Sequence, residues 1–542
     1  MNTNIGNKIV TTGTPARTKL IAGANAIADA VKSTLGPRGH TVIIEQESGS
    51  PHVTKDGVSV ANAIKFRDRE KNLGARMVQD VASKAAEHAG DGTTTATVLA
   101  QSILNEGDSL IHTVKNANDV RKGIELAVNK TVETIKEWSS PVDEENEIKH
   151  IATLSANGDE EIGSLIAEAF HKVGKDGTIT VKASDDYKTE LNVVEGMEFK
   201  KGYMSPYFVT DHTKMVAEYD NAKLLITDKT ISSINNMIPL LQAVCDQGLA
   251  LVIIADNIED QALTNLVINK MKGGLKILAV KAPGWGDRKL DVLRDIAAIA
   301  GCEVISDELG TKIESTSISD LGTIKHIKST REITTITGNS DKSDLVQKRI
   351  DEIKALLSNA TREYDKERYQ RRLGALTSGV AEIKVGGITE AEVKERKDRA
   401  DDAVCATRSA VEEGIVPGGG VTLLRISRLL KNELKTDNYE QNLGIELVAN
   451  ALTAPIKQIL KNSGDEVHEI MTDIIKVDDK WFGYDARNSK LCNLRDAGIL
   501  DPAKVTRCAI QDASSIASLI LTTDTIITTD PEDDKSQFMI QQ

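Results

Sequence analysis

The chain changes character along its length, and that pattern constrains its fold more than any single residue does. From Pro15 to about Trp138 it reads mostly as helix: Leu20, Ile21, Ala24, Ile27, Ala28, Val31 and Leu35 recur at helical spacing until Gly36-Pro37 stops the run. Thr41 to Glu45 and Pro51 to Thr54 read as short strands. Ser139 to Glu145 is a turn-rich, acidic break and a candidate domain boundary. A short mixed region follows, with a helix near Glu160 to Val173 and a strand at Thr178 to Lys182. Around Gly196 the pattern becomes alternating strand and helix. Lys223 to Thr227, Leu249 to Ala255 and Leu275 to Lys281 read as buried strands, with helices at Ser232 to Gln247 and Ile258 to Lys272 between them, which predicts an α/β layered domain. Asp341 to Arg372 reads as charged helices joined by a turn. From Thr389 the chain is helical again. Thr389 with Glu392 forms a capping box, Gly414 supplies the C′ glycine, and Gly418-Gly419-Gly420 punctuates before a last helical stretch.

Length and charge narrow the function classes. A chain of 542 residues sets a prior of about three or four domains. Aromatic residues make up only 3%, so cores must be built from Ala, Val, Ile and Leu. The formal charge of −14 argues against a nucleic-acid surface, which needs clustered Lys and Arg. Cys245, Cys302, Cys405, Cys492 and Cys508 are scattered and lack CxxC spacing, so neither a disulfide framework nor a zinc site is expected, and a reducing compartment fits. The longest apolar run, Leu249 to Ala255, is too short to span a bilayer, and Met1 to Gly13 is polar, so no signal segment is expected.

The stretch Gly90-Asp91-Gly92-Thr93-Thr94-Thr95 reads as a tight turn entering a helix. A helix start presents unpaired N–H groups and partial positive charge, which suits phosphate. Asp91 would repel phosphate unless it holds Mg²⁺, which then bridges to phosphate oxygens. An ordinary Asp-Gly turn with threonine caps is the alternative. A second turn, Lys55-Asp56-Gly57, also precedes an apolar-periodic run. There is no GxxxxGK[ST] and no GxGxxG after a strand, which excludes a P-loop and leaves a Rossmann site unsupported. Asp401-Asp402 lies in a charged helix: a solvated face, or a carboxylate that positions water beside a γ-phosphate. The runs Ile234, Met237, Ile238, Leu241, Val244 and Leu263, Leu266, Val267, Ile268, Met271 are apolar beyond the need of one sheet face; they are either core or an exposed groove for partners. Tyr203 to Phe208 adds three aromatics in six residues.

Seven strings occur in a fixed order: Thr34 to Gly39, Thr54 to Val58, Gly90 to Leu99, Gly202 to Phe208, Ala282 to Arg288, Ala406 to Gly414 and Gly498 to Pro502. In this the chain closely resembles the group I chaperonins, the GroEL family, from about Val10 to Thr529. The resemblance implies a multidomain α/β fold: a helical equatorial ATP-binding domain (1–137 and 414–542), an intermediate domain (138–195 and 379–413) and an α/β layered apical domain (196–378). Pro141, Gly196, Gly379 and Gly414 would be hinges. ATP would be bound by Thr34, Leu35, Gly36, Pro37, Lys55, Asp91, Gly92, Thr93, Thr94, Thr95, Gly419, Asp485, Ala486, Arg487 and Asp501. Asp91 would hold Mg²⁺, with K⁺ a further candidate cation. Asp56 and Asp402 would act at hydrolysis, Asp402 swinging in from the intermediate domain. Tyr203, Tyr207, Phe208, Ile238, Leu241, Leu263, Val267 and Ile268 would bind unfolded clients and a GroES-like co-chaperonin lid. The implied assembly is a homo-oligomeric ring, heptameric and double, without nucleic acid or membrane. It would fold proteins in a closed chamber in the cytoplasm, an organellar matrix, or a host cytoplasm if virus-encoded. A holdase or scaffold without a full cycle is the alternative. The chain departs from the family at the Gly-Gly-Met tail, replaced by Ser536 to Gln542, and at Ser378, Glu382 and Lys201. These mark a diverged copy.

Overall fold

The chain, described by a computed structural model, divides into two compact units, Met1–Ala167 with Ala183–Thr189 and Val385–Gln542, and Glu168–Lys182 with Glu190–Lys384. The structure describes residues 2–5, 8–46, 51–114, 116–142, 145–174, 177–184, 187–194, 196–212, 214–284, 286–306, 308, 310–338, 343–359, 362–377 and 379–529. Asp143, Glu144, Trp285, Asp341, Ser378 and the polar end Pro531 to Gln542, all used above, lie outside the described residues.

The first unit joins the two ends of the chain. Strands Asn2–Ile5, Lys8–Thr12 and Thr525–Thr529 form one antiparallel sheet, with Lys8 opposite Thr529 and Thr12 opposite Thr525. Helices Thr14–Val31, Arg69–Ala89, Thr93–Ile111, Ala117–Trp138, Tyr439–Ala451 and Ala503–Thr522 supply its main core, whose fully packed members are Ala, Val, Ile and Leu alone. The scarcity of aromatics dictates this composition, and small side chains let helix axes approach closely. On Arg69–Ala89 the inward stripe is Gly74, Ala75, Val78, Val81, Ala82, Ala85 and Ala89. Its start is fixed by Asp68, whose carboxylate accepts the N–H groups of Glu70 at 3.0 Å and Lys71 at 3.1 Å. Burial of Val78 and Val81 stabilises the unit by about 1.5–3 kcal/mol each, and the alanines contribute less. Among the described residues no helix is long and apolar enough to cross a membrane.

The second unit is built on a six-stranded mixed sheet in the order Lys276–Lys281, Ala250–Ala255, Ala217–Ile226, Gly322–Ser329, Thr334–Thr337, Gly196–Phe199. The first three run parallel and the remainder antiparallel. Ala250–Ala255 is buried at every position, as its unbroken apolar run requires of a strand covered on both faces. The helix expected from Ser232 starts instead at Ile238 after a single 3-10 turn, Asn235–Met237. Pro239 lacks an N–H and belongs in a first helical turn. The two charged helices, Ser343–Asn359 and Glu363–Thr377, are docked through buried Asp295, which accepts from Arg349 at 2.7 Å and from Arg372 at 2.7 and 2.8 Å. Glu382 is buried on strand Val380–Val385 with Lys325 Nζ 3.7 Å from its carboxylate.

Two local expectations are corrected in detail. Thr389 does cap helix Glu390–Glu413, its hydroxyl accepting the Glu392 N–H at 3.2 Å. The Glu392 carboxylate, however, reaches the N–H of Ile388 at 2.9 Å in place of that of Thr389, one residue further out than a capping box. Thr41 to Glu45 and Pro51 to Thr54 shorten to Val42–Ile44 and His52–Thr54, paired antiparallel.

The second unit carries an acid-sensitive ion pair. Asp220 accepts from His326 Nδ1 at 2.9 Å and from Lys182 Nζ, and these partners, His326 first, hold its carboxyl well below the ordinary range. A depressed carboxyl stabilises the fold fully above the unfolded value, near ~4, and loses that contribution as pH falls through the folded value. Thermal unfolding of Asp220→Asn is therefore expected to lose part of the wild-type decline below pH ~4, with the two proteins converging at the acid end. Parallel melting-temperature profiles would contradict this.

Candidate nucleotide site

Helix Thr93–Ile111 begins at Gly92, which lies in the left-handed region at φ 82°, and no side chain caps the helix start. Helix Val421–Glu433 begins the same way at Gly420, φ 77°, again without a side-chain cap. A residue with Cβ would be strained at either place. The consequence is two helix mouths whose N–H groups and dipoles are available to anions.

Contacts draw these two mouths together with the predicted residues. Thr34 Oγ1 stands 3.3 Å from Thr94 Oγ1 and donates to the Val31 carbonyl at 2.9 Å. Gly57 abuts the same threonines: an added Cβ there would stand 2.5 Å from Thr94 Oγ1 and 2.8 Å from Thr93 Oγ1. Asp56 caps helix Gly57–Ala63 by accepting the N–H groups of Val58 at 3.1 Å and Ser59 at 2.8 Å. Each of its oxygens keeps lone-pair capacity beyond that bond. On the far side, a Cβ at Gly418 would stand 2.9 Å from Asp501 Oδ1, and the N–H groups of Gly419 and Gly420 bond to Asp501.

Charge concentrates here. Burial pushes the Asp91 carboxyl up, against hydrogen bonds from the Gly92 N–H and Ser155, and the Asp56 charge raises it further. Asp501 is pushed up to about 7, first by burial and then by the charge on Asp91. Three carboxylates thus share one partly open, poorly solvated place, and a divalent cation would relieve their repulsion. Among the described residues no group of three or more His, Cys, Asp or Glu side chains forms a ready-made metal cage. The donor set fits Mg²⁺ held by one or two carboxylates and completed by phosphate oxygens and water, the usual coordination of that ion. Asp91 could hold it, with Asp501 near enough for their charges to interact.

The remaining predicted residues frame the place. Leu35, Gly36 and Pro37 belong to a loop fixed by two residues the sequence did not single out. Asn462 Nδ2 donates to the Lys32 and Leu35 carbonyls at 3.0 and 2.8 Å, and Arg38 donates to the Ser463 and Arg487 carbonyls, each at 3.1 Å. Asp485 also holds its own turn: its buried carboxylate accepts the N–H groups of Arg487 at 2.9 Å and Asn488 at 3.1 Å and Asn488 Nδ2 at 2.7 Å. It shapes the turn bearing Ala486 and Arg487, and its Oδ2, which accepts one bond, keeps lone-pair capacity. The Arg487 guanidinium lies over Gly158, beyond the helix that ends in Ser155. Lys55 and Thr95 are partly exposed on the Asp56 turn and the first turn of helix Thr93–Ile111. Concavities of about 410 Å³ beside Arg121 and Ser514, and about 120 Å³ beside Lys229 and Glu314, lie elsewhere.

Asp402 is carried by helix Glu390–Glu413, which packs on the same turn. Ser409 Oγ donates to the Ala89 carbonyl at 2.9 Å, and a Cβ at Gly90 would stand 2.2 Å from that of Cys405. Asp402 lies one turn before Cys405 on the same helix face.

In the second unit the expected client-binding positions divide. Tyr207, Ile238 and Ile268 are exposed, as is Met271, and Leu263 is half-buried. Tyr203, Phe208, Leu241 and Val267 are buried in this arrangement and pack in the core of the unit. Lys270 joins the exposed members by donating to the Tyr207 and Val209 carbonyls at 3.1 and 3.0 Å.

The helical unit with its two uncapped helix mouths, joined by both chain ends, and the mixed α/β unit define a chaperonin. Residues 27–531 match the TCP-1/cpn60 chaperonin family, and the chain belongs to that family. Among solved structures it is similar to the chaperonin gp146 from the bacteriophage EL 2 (Pseudomonas aeruginosa), crystallised in the presence of ATP-BeFx. The TM-score is 0.65 at 23% identity, over 96% of this chain and 98% of that one. That likeness extends the chaperonin fold to nearly the whole chain.

Proposed function

We propose that the chain is an ATP-hydrolysing chaperonin of the group I type that captures non-native proteins and promotes their folding. The observation that carries this reading is the crowding of Asp56, Asp91 and Asp501 at two uncapped helix starts, an arrangement whose repulsion a magnesium nucleotide would relieve. The ATP analogue in the crystals of the phage chaperonin is consistent with it. Mg²⁺, when bound by Asp91, would neutralise charge on the transferred phosphate. Thr93, Thr94 and the N–H groups of the first turn would receive phosphate oxygens, the Thr34 to Pro37 loop and the Asp485 to Arg487 turn would border the rest of the nucleotide, and Asp56 and Asp402 would orient and deprotonate water. K⁺ is proposed as an accessory ion.

The three-domain division at 1–137 with 414–542, 138–195 with 379–413, and 196–378 is proposed with this function, as are a homo-oligomeric ring, heptameric and double, a GroES-like lid and a cytoplasmic location. The client surface is narrowed to Tyr207, Ile238, Leu263, Ile268 and Met271. Apolar burial binds unfolded chains at about 25 cal/mol per Å² without sequence selectivity, which is the behaviour a general chaperone needs. Tyr207→Glu is expected to weaken capture of a chemically denatured client by about tenfold, the loss of one well-buried side chain, while ATP turnover stays near wild type. Capture measured by suppression of client aggregation checks this; wild-type capture by Tyr207→Glu together with Ile268→Ser would remove this surface from the client role.

A further inference from the structure

Helix Glu390–Glu413 carries Asp398, Asp402, Cys405 and Ser409 at spacings of four, three and four, the period of one helix face. Ser409 and Cys405 fix that face against Ala89 and Gly90 on the C-terminal side of Asp402. On the N-terminal side the contact is Asp398, whose Oδ2 faces His52 Nε2 at 3.6 Å. Both side chains are only 10% exposed, and His52 Nε2 makes no hydrogen bond. At that separation the two side chains face each other in a setting where water penetrates little, without a hydrogen bond between them. His52 stands on strand His52–Thr54, and Thr54 Oγ1 accepts the N–H of Asp56 at 3.0 Å. One buried pair therefore links the strand that orders Asp56 to the helix that bears Asp402.

We propose that His52 and Asp398 are positioning residues for ATP hydrolysis: their contact sets how closely the Asp402 carboxylate approaches the phosphate end of the site. Asp398 lies about one helical turn, roughly 6 Å of axis, from Asp402, so letting go of it frees the helix to tilt about the Cys405–Gly90 contact. A displacement of about 1 Å at a catalytic group is enough to slow a reaction by orders of magnitude. Nucleotide binding is spared, because neither residue belongs to the two helix mouths. The proposal rests on the hydrolytic reading of Asp402 given above.

The test is steady-state ATP hydrolysis by the full-length protein at saturating Mg²⁺, with kcat and KM separated, for His52→Ala, Asp398→Asn, the double variant and the exchanged pair His52→Asp/Asp398→His. Thermal midpoint and elution volume are followed in parallel. Each single change is expected to lower kcat by about fivefold to tenfold at unchanged KM. The double variant should be no slower than the worse single one, and the exchanged pair should recover most of the rate. Asp398→Asn is nearly isosteric, so a folding defect in His52→Ala leaves the test intact. Wild-type kcat in Asp398→Asn, additive losses in the double variant, or a rise in KM matching the fall in kcat would each overturn the proposal. Asp402→Ala, run alongside, separates the two ideas. Wild-type turnover in Asp402→Ala defeats the hydrolytic reading itself, whereas its inactivity beside fully active His52→Ala and Asp398→Asn defeats the positioning role alone.

Discussion

Asp402→Ala is expected to bind ATP with near-normal affinity and to hydrolyse it at least about a hundredfold more slowly. A positioned carboxylate that takes a proton from attacking water contributes ~10²–10⁴ in rate, and alanine supplies neither the acceptor nor the orientation. The helix itself should survive the change. Asp402 is only partly buried, and alanine is the better helix former. Asp401 provides the internal comparison: it too is partly buried but lies off the stripe formed by Asp398, Asp402, Cys405 and Ser409. Asp401→Ala should turn over at close to the wild-type rate. Single-turnover hydrolysis of prebound ATP measures the chemical step directly. Equal rates for Asp402→Ala and wild type would remove Asp402 from the reaction.

Asp91→Asn is expected to act at the preceding step. It keeps the shape of the side chain and removes the charge that would hold the cation, so affinity for the magnesium nucleotide should fall by about a hundredfold or more, since loss of even an outer-shell partner of a metal costs ~10–100-fold. Two opposite effects on the free protein accompany it. Burial and the Asp56 charge both penalise an ionised Asp91, and Asp91 in turn raises Asp501. Removing one of three crowded carboxylates should leave the nucleotide-free protein as stable as wild type or more so at pH 7, while its stabilisation by added Mg-ATP disappears. Melting temperature with and without Mg-ATP reads both effects. A large loss of stability without nucleotide would instead make Asp91 a structural residue.

Much of the site was legible because its parts are local. The Gly90 to Thr95 turn, the Asp56 turn and the Gly418 to Gly420 break each declare a helix start within a few residues, and helix starts are fixed by short-range backbone chemistry. The alternating middle of the chain predicted its layered unit for the same reason, since strands Ala250–Ala255 and Lys276–Lys281 are continuous apolar runs bounded by turns. What escaped was long-range. Asn462 pins a loop some 430 residues away, and Arg38 binds carbonyls equally distant in sequence. Neither residue carries a pattern of its own. His52 reads as an ordinary strand residue until Asp398 is seen against it. Asp485 accepts the N–H groups of its own turn, a use that Asp shares with any Asx turn and that no motif in the sequence marks. In the apolar runs around Ile238 and Ile268, periodicity reports that a helix has a wide apolar face, and only packing reveals that Leu241 and Val267 are buried while Ile238 and Ile268 are exposed.

Calorimetric titration of a non-hydrolysable Mg-ATP analogue into the folded wild-type oligomer tests the central claim most directly. Saturable binding is expected in the presence of Mg²⁺, strongly weakened when the metal is chelated and nearly abolished in Asp91→Asn. Absence of binding to a folded wild-type protein, or binding indifferent both to the metal and to the charge at position 91, would contradict it.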